Sequence, residues 1–165
     1  MKIAVLADLH DNLTAWNIVN KQLKKHGADA LIICGDLCSA DVLKIISKDF
    51  KGLIYLVDGN VADRKENKAT AAKLANVTHF EDLGEIELDN KKIAFVHHPR
   101  KVKELIINKN YDYVFFGHTH QQSQEKVGNT IVVNPGTAGG MFQYPSYAVV
   151  DLIKAQVEFK QIILK

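Results

Sequence analysis

Three buried strands that each end in a short polar loop constrain the fold of this chain more than any other feature. Nearly continuous apolar runs occupy residues 2–7, 30–34 and 53–57. Runs of this kind are typical of parallel strands that are covered on both faces. Each is followed by a polar loop and a segment of helical character, so the pattern predicts βαβ units. The carboxyl ends of the three strands should therefore meet at one edge of a sheet.

The spacing of apolar side chains also predicts the helices. We expect a first helix over residues 12–26, a second that Ser39 caps, and a third over residues 64–75, where the apolar stripe is weakest. Pro99 suits the first position of a fourth helix.

The second half of the chain reads as a series of shorter strands. Residues 84–88 and 92–96 flank Asp89-Asn90 as a hairpin would, and a buried strand covers 113–116. Further runs cover 147–153 and 156–164. We expect this half to build most of a second sheet stacked on the first, and residues 1–165 to form a single domain without repeats or linkers.

Composition excludes some classes of protein. The 165 residues are 47% hydrophobic, which favours a globular chain with a sizeable core, and the net charge of +2 does not by itself imply a nucleic-acid partner. No apolar run reaches the length of a membrane span, so we expect a cytoplasmic protein with reduced thiols. Cys34 should be a core residue, whereas Cys38 receives no role.

Polar side chains follow the predicted strands where each strand ends. If residues 8–10 are extended, Asp8 and His10 point to the same side, with Cα atoms roughly 6.6 Å apart. The alternative is that Asp11 or Asn12 caps the first helix and the other two are ordinary loop residues. The later strand ends add further candidates: Asp36, Asn60, His97, His118 and His120.

Metal binding is the economical explanation of this pattern. Five of the seven histidines fall in these loops if His98 is counted. Mixed oxygen and imidazole ligands suit Mn, Fe, Ni or Zn better than Ca or Mg, and the lack of thiolate ligands argues against a closed structural zinc site.

The order of these motifs resembles that of the calcineurin-like metallophosphoesterase superfamily. The motifs are Asp8-x-His10, Gly35-Asp36, Gly59-Asn60, His97 and Gly117-His118-x-His120. The segments DLHDN and NPGT are most similar to its small YfcE-like branch, and the resemblance covers nearly the whole chain. It implies an α/β fold in which two stacked mixed sheets are flanked by helices, a four-layer αββα sandwich.

The resemblance also implies a site with two divalent metal ions. Asp8, His10 and His120 would bind one ion. Asn60, His97 and His118 would bind the other, with Asp36 bridging. Manganese is the first choice of metal, with Ni, Fe, Zn or Mg as alternatives. A hydroxide held between the ions would attack phosphorus in line, so no protein nucleophile would be needed.

Three positions depart from the family pattern. Many relatives carry a histidine after the asparagine of the third motif, where this chain has Val61, so the general acid is not identified. The fourth motif reads His97-His98-Pro99 instead of His-Gly; we assign the ligand to His97 and place His98 in the region that caps the next helix. Asp63 lies one position beyond an acidic residue of relatives, and either orients a ligand or faces solvent.

Other residues have two readings each. Asn12 either caps the first helix or reaches the phosphate. Arg100, like Arg64 and Lys101, either attracts an anionic substrate or belongs to a solvated helix surface. His79 reads as a surface residue. The apolar group Met141, Phe142 and Tyr144 either forms a homodimer surface or folds inward.

We therefore expect an enzyme that acts on a small phosphoester, a diester before a monoester, because a diester carries one charge and needs no deep basic clamp. Neither a membrane nor specific nucleic acid is expected as a partner, and a nuclease of the superfamily would require a longer chain. The alternative is a non-catalytic scaffold similar to the retromer subunit of this fold. That subunit has an altered first motif, whereas His10 is retained here.

Overall fold

The computed structural model describes residues 1–108 and 110–164 of the chain. In chain order, the strands are β1 (Lys2–Leu6), β2 (Ala30–Cys34), β3 (Leu53–Val57), β4 (Val77–Phe80), β5 (Leu83–Leu88), β6 (Lys91–Val96), β7 (Tyr113–Phe115), β8 (Gln122–Val127), β9 (Thr130–Pro135), β10 (Ser146–Asp151) and β11 (Gln156–Gln161). The helices are α1 (Leu13–His26), α2 (Ala40–Asp49), α3 (Arg64–Ala71) and α4 (Val102–Asn108), and a 3-10 turn at Pro99–Lys101 precedes the last. Within these ranges, none of the helices has the length and apolar content needed to cross a membrane.

The strands form two mixed sheets. The first has the order β11-β10-β1-β2-β3-β4, in which β1 to β4 are parallel, β10 is antiparallel to β1, and β11 is antiparallel to β10. The second has the order β5-β6-β7-β9-β8, with a parallel centre and an antiparallel strand at each edge. The predicted fold class, two mixed sheets flanked by helices, is confirmed.

Alternation along β1 explains why both of its faces are covered. Ile3 and Val5 point toward the second sheet and pack with Phe95 and Phe115, whereas Ala4 and Leu6 point the other way, into the core beneath α1 and α2. The amphipathic faces of these helices therefore close one side of the first sheet, and the second sheet closes the other. A third apolar cluster fills the space between α4 and the outer face of the second sheet.

The second half of the chain builds the second sheet, as predicted, through β5 to β9. The C-terminal runs at 147–153 and 156–164 are the exception in this half, because β10 pairs with β1 in the first sheet and β11 pairs with β10. The three parallel units leave the outer edge of β1 without a partner, and the returning chain covers it. The alternation of apolar and polar residues does not indicate which sheet a strand joins. Tertiary contacts decide it.

Predictions of local structure were more accurate where the sequence contains residues typical of a specific turn. The hairpin of β5 and β6 forms as predicted, and Asp89 (φ 52°) and Asn90 (φ 58°) have the left-handed conformations that a two-residue hairpin turn requires. The third helix ends earlier than predicted, at Ala71. Strand β4 was missed because it has only four residues, none of them fully buried.

Candidate metal centre

The seven side chains that follow the predicted strands lie together at one edge of the stacked sheets. They come after β1, β2 and β3 in the first sheet and after β6 and β7 in the second. Six of them, together with the neighbouring His98, fall into three overlapping groups whose candidate ligand atoms lie within 4.8 Å of one another: Asp8, His10 and His120; Asp8, Asp36 and His97; and His97, His98 and His118. We call Asp8, His10 and His120 the first group. The second group is Asn60, His97 and His118, which lie in contact with one another.

The backbone of this edge is not extended, which corrects the expectation for Asp8 and His10. Strand β1 ends at Leu6, and positive φ angles occur at Asp8 (54°) and His10 (47°). Asp36, His118 and His120 also have positive φ, at 53°, 72° and 59°. Each such residue costs roughly 1–2 kcal/mol of backbone strain, and conformations of this kind concentrate at functional sites. The side chains converge because the chain turns sharply there.

The first group is built around Asp8. His120 places its Nε2 3.3 Å from Asp8 Oδ1, yet that buried oxygen makes no hydrogen bond among the described residues. His120 Nδ1 lies 2.9 Å from the carbonyl oxygen of Met141, to which it can only donate. A neutral His120 therefore turns the lone pair of Nε2 toward Asp8. Two acceptors that face each other in this way form a site for a cation.

The second group repeats this arrangement. His97 Nδ1 donates to the carbonyl oxygen of Cys34 at 2.9 Å, so the neutral ring carries its lone pair on Nε2. That nitrogen lies 2.9 Å from Asn60 Oδ1, and His118 Nδ1 lies 3.1 Å from the same oxygen. In metal-binding histidines, one ring nitrogen usually donates to a carbonyl or carboxylate oxygen. This hydrogen bond fixes the tautomer and leaves the lone pair of the other nitrogen for the metal.

Asp36 lies between the two groups. Its Oδ2 is 3.9 Å from His10 Nε2 and 3.5 Å from His97 Nε2. Its Oδ1 accepts a hydrogen bond of 3.2 Å from the backbone N–H of Val61, which fixes the carboxylate plane. His10 Nε2 is buried and has no hydrogen-bond partner in the described part of the chain. One carboxylate therefore stands within reach of both groups.

Two glycines make room for these side chains. A β-carbon on Gly59 would overlap the carboxylate of Asp36, and one on Gly35 would overlap the His97 ring. The Gly-Asp and Gly-Asn pairs of the sequence thus have a steric cause: the backbone at each glycine passes directly against a side chain from another loop.

Burial shapes the electrostatics of the centre. It raises the pKa of Asp8 to about 7, although the nearby His120 and a hydrogen bond from the His118 N–H partly oppose it. Burial likewise lowers the pKa of His10 and His97, which favours the neutral form of both rings. A bound cation would favour the ionised carboxylate and neutral imidazoles together. Buried acceptor atoms without hydrogen-bond partners among the described residues, and a buried carboxyl group whose charge is poorly compensated, both fit a divalent metal.

His98 lies closer to the centre than a capping residue needs to be. It precedes the 3-10 turn but makes no side-chain cap, and its ring centroid is 4.2 Å from that of His118. His98 thus lies before the helical turn, as predicted, but its side chain also borders the second group, which was not predicted.

Three other candidates lie elsewhere or are occupied. Asn12 caps α1: its Oδ1 accepts from Ala15 N at 3.0 Å, and its Nδ2 donates to Gly139 O at 3.0 Å. Asp63 caps α3 by accepting from Glu66 N, which neither sequence reading had foreseen. Arg100 is exposed in the 3-10 turn, close enough to help lower the pKa of His98.

Sequence reasoning missed a buried pair behind the centre. His79 was predicted on the surface, but its side chain is 5% exposed and its Nε2 lies 3.0 Å from Oδ2 of the fully buried Asp58. The prediction was wrong because β4 had not been recognised, so nothing indicated that His79 faces the interior.

Sequence reasoning also assigned no contacts to the Asn-Pro-Gly-Thr turn. Thr137 Oγ1 donates to the backbone carbonyl of Asp8, and Asn134 Nδ2 donates to that of Gly117. The turn thereby anchors two loops that carry candidate metal ligands. Its sequence signalled a turn but gave no hint of these partners.

Comparison with known proteins agrees with this geometry. The model of the calcineurin-like phosphoesterase superfamily domain matches residues 1–155. The phosphodiesterase MJ0936 of Methanocaldococcus jannaschii is 28% identical over 168 residues, which cover 100% of both chains. The solved structure of a novel archaeal phosphodiesterase superimposes with a TM-score of 0.89 at 27% identity, covering 98% of this chain and 99% of that one.

More distant structures share the fold. Escherichia coli Yfce, a phosphoesterase, has a TM-score of 0.70 at 19% identity, over 99% of this chain and 100% of its own. The zinc complex of Vps29 from Entamoeba histolytica has a TM-score of 0.69 at 16% identity and full coverage of both chains. At these identities the likeness is one of architecture.

Proposed function

This chain belongs to the calcineurin-like phosphoesterase superfamily, and from that premise we propose that it is a two-metal phosphodiesterase whose active site is the candidate metal centre. The family match and the phosphodiesterase relative support a phosphoric ester hydrolase. The observation that carries the two-metal proposal is the position of Asp36 Oδ2, 3.9 Å from His10 Nε2 and 3.5 Å from His97 Nε2.

Each group would hold one cation. Asp8, His10 and His120 would bind the first, and Asn60, His97 and His118 would bind the second, with Asp36 as the bridging residue. Both Asp8 and Asp36 are buried, so their charge is poorly compensated by solvent. The mixed oxygen and imidazole donors suit Mn first, with Ni, Fe, Zn or Mg as alternatives.

When bound, the two cations supply a water of lowered pKa as nucleophile and offset the charge that develops on the phosphoryl oxygens. The chain's own part is to fix the ligands. The carbonyl of Cys34 orients His97, the carbonyl of Met141 orients His120, and the N–H of Val61 orients Asp36. This preorganisation places the donor atoms before the substrate arrives.

A diester suits the charges around the site better than a monoester. The chain has two arginines, and Arg64 already pairs with Asp82 at 3.2 Å. Lys101 lies 3.8 Å from the same carboxylate. Arg100 is the remaining arginine beside the centre, which is enough for the single charge of a diester. His98 and Arg100 are the side chains that we propose to approach the phosphate.

A non-catalytic scaffold is the second candidate function. The likeness in fold to Vps29 supports it. Against it, all seven ligand positions carry liganding side chains, and the chain is more similar to a phosphodiesterase over its full length. A cytoplasmic location, a homodimer and the lack of specific nucleic-acid binding stay predictions.

The test is hydrolysis by protein that has first been stripped of metal with a chelator. Bis-p-nitrophenyl phosphate and p-nitrophenyl phosphate are assayed after Mn, Ni, Mg or Zn is added back. We expect the diester to be cleaved faster, only with metal, and not by Asp36→Asn. The matched control is Asp41→Asn, an exposed carboxylate on α2 that pairs with Lys44. A folded wild-type protein that binds metal but cleaves neither ester would favour the scaffold.

A further inference from the structure

A pocket of about 330 Å³ opens directly beside the candidate metal centre. It is lined by His120, Gln121, Gln122, Gln143, Tyr144, Ser146 and Gln161. His120 belongs to both places, because its Nε2 faces Asp8 while the ring borders the pocket. A group that sits in this pocket is therefore separated from the centre only by the imidazole ring of His120. The volume of the pocket lies at the lower end of the range for small-molecule sites.

The lining of the pocket is polar but carries no acidic side chain, lysine or arginine. Four of the lining residues are glutamines, and in the described part of the chain their side-chain amides make no hydrogen bond to another protein group. Each amide offers both a donor and an acceptor. The pocket therefore suits a neutral ligand with donors and acceptors of its own.

Tyr144 in the lining of the pocket, and Phe142 against the ring of its lining residue His120, add flat aromatic surface. Phe142 and Tyr144 are each 86% exposed. The Phe142 ring lies over His120, with centroids 5.8 Å apart and planes 28° apart. Phe142 also has a positive φ of 64°, a strained conformation for an aromatic residue and one that is common at functional sites.

A flat, uncharged group with several hydrogen-bond donors and acceptors meets these demands, and nucleobases have this chemistry. Bases stack on exposed aromatic side chains, and side-chain amides pair with their edges. We propose that this pocket binds the base of a nucleoside phosphodiester whose phosphate lies at the metal centre. The proposal rests on the phosphodiesterase function above and names its substrate class.

The first test compares two substrates with the same charge and leaving group, thymidine 5′-(p-nitrophenyl phosphate) and methyl p-nitrophenyl phosphate. We expect kcat/KM to favour the thymidine ester roughly tenfold or more, as stacking of one base predicts. The ratio should fall toward one in Tyr144→Ala and persist in Tyr144→Phe. The control is Gln156→Ala, at the other end of β11 from Gln161 and outside the pocket. Equal rates for the two esters in the wild-type enzyme would overturn the proposal.

The second test does not depend on catalysis. Thymidine, which has no phosphate, is added to chelator-treated protein, and its resonances are followed by ligand-observed NMR. We expect broadening with the wild type and with Gln156→Ala, and its loss with Tyr144→Ala. Benzyl alcohol, an aromatic ring without a base edge, should broaden much less. If both compounds broaden equally, or if Tyr144 proves buried in a dimer in solution, the pocket does not recognise bases.

The two tests separate this proposal from the one on which it rests. Metal-dependent cleavage of both esters without preference, together with unbroadened thymidine, would refute the base pocket and leave the phosphodiesterase intact. Thymidine binding by a protein that cleaves no diester would refute the phosphodiesterase and leave the pocket.

Discussion

Gly59 lies so close to the carboxylate of Asp36 that a β-carbon at position 59 would overlap Asp36 Oδ1 and its backbone nitrogen. The position of Asp36 between the two groups therefore depends on the absence of a side chain in a different loop. In the Gly-Asn pair after β3, Asn60 is itself a candidate ligand, and Gly59 leaves the space that Asp36 occupies.

We expect Gly59→Ala to displace Asp36 and to reduce metal-dependent diester hydrolysis by at least tenfold. Overpacking of this kind costs typically 1–3 kcal/mol, so the protein should still fold. Activity with saturating Mn and the unfolding midpoint measure the two effects. Gly128→Ala is the control. A β-carbon at this turn position would have no other atom within 4 Å, although the φ of 60° adds some strain. Equal loss of activity in both variants would contradict this explanation.

Substitution of the two adjacent histidines of the fourth motif should have different effects on the number of metal ions that the protein binds. His97 is 3% exposed and its tautomer is fixed by Cys34 O, whereas His98 makes no side-chain hydrogen bond among the described residues. We expect His97→Ala to bind about one equivalent of metal in place of two, and His98→Ala to keep both. Elemental analysis after dialysis measures the ratio. The reverse result would move the ligand assignment to His98.

Asp63 should matter for stability and not for chemistry. Its side chain accepts from Glu66 N at the start of α3 and belongs to none of the three candidate ligand groups. We expect Asp63→Ala to lower the free energy of unfolding by about 1 kcal/mol, because a helix loses its cap, with kcat/KM for the diester unchanged. Denaturant unfolding and a hydrolysis assay check the two halves. Asp63→Asn, which retains a capping oxygen, should be close to wild type; a drop in its activity would restore the reading of Asp63 as a ligand-orienting residue.

The buried pair of Asp58 and His79 should be one of the costlier places to mutate. His79→Ala leaves a carboxylate that is 0% exposed without its imidazole partner. We expect a loss of roughly 3 kcal/mol in the free energy of unfolding, as for other broken buried pairs. Thr78→Ala, at an exposed neighbouring position in β4, is the matched control. A change of under about 0.5 kcal/mol in His79→Ala would show that solvent reaches Asp58.

Much of the candidate site could be predicted from sequence because its residues follow buried strands. A five-residue apolar run followed by a polar loop, such as residues 30–34, is typical of a covered strand, and parallel strands end at a common edge, so Asp36 and Asn60 were expected to be neighbours. The sequence did not reveal how Asp8 and His10 point inward. That depends on left-handed backbone conformations, which Thr137 helps to hold through the carbonyl of Asp8.

Short elements and side-chain partners were the hardest to predict. Strand β4 has too few residues for alternation to be visible, and without it His79 looked like a surface residue. Asp63 was not recognised as a cap, although it directly precedes the predicted start of α3 at residue 64 and Asp is a preferred capping residue. That signal was present in the sequence and was not used.

The sequence by itself determined the layers of this protein and the order of its ligand-bearing loops, because burial of apolar strands and the handedness of βαβ units leave few arrangements open. Only the tertiary structure decided which sheet receives β10 and β11, which side chains face one another across the centre, and where Phe142 and Tyr144 point. Those outcomes depend on contacts between residues far apart in the chain, whose energies no local pattern contains.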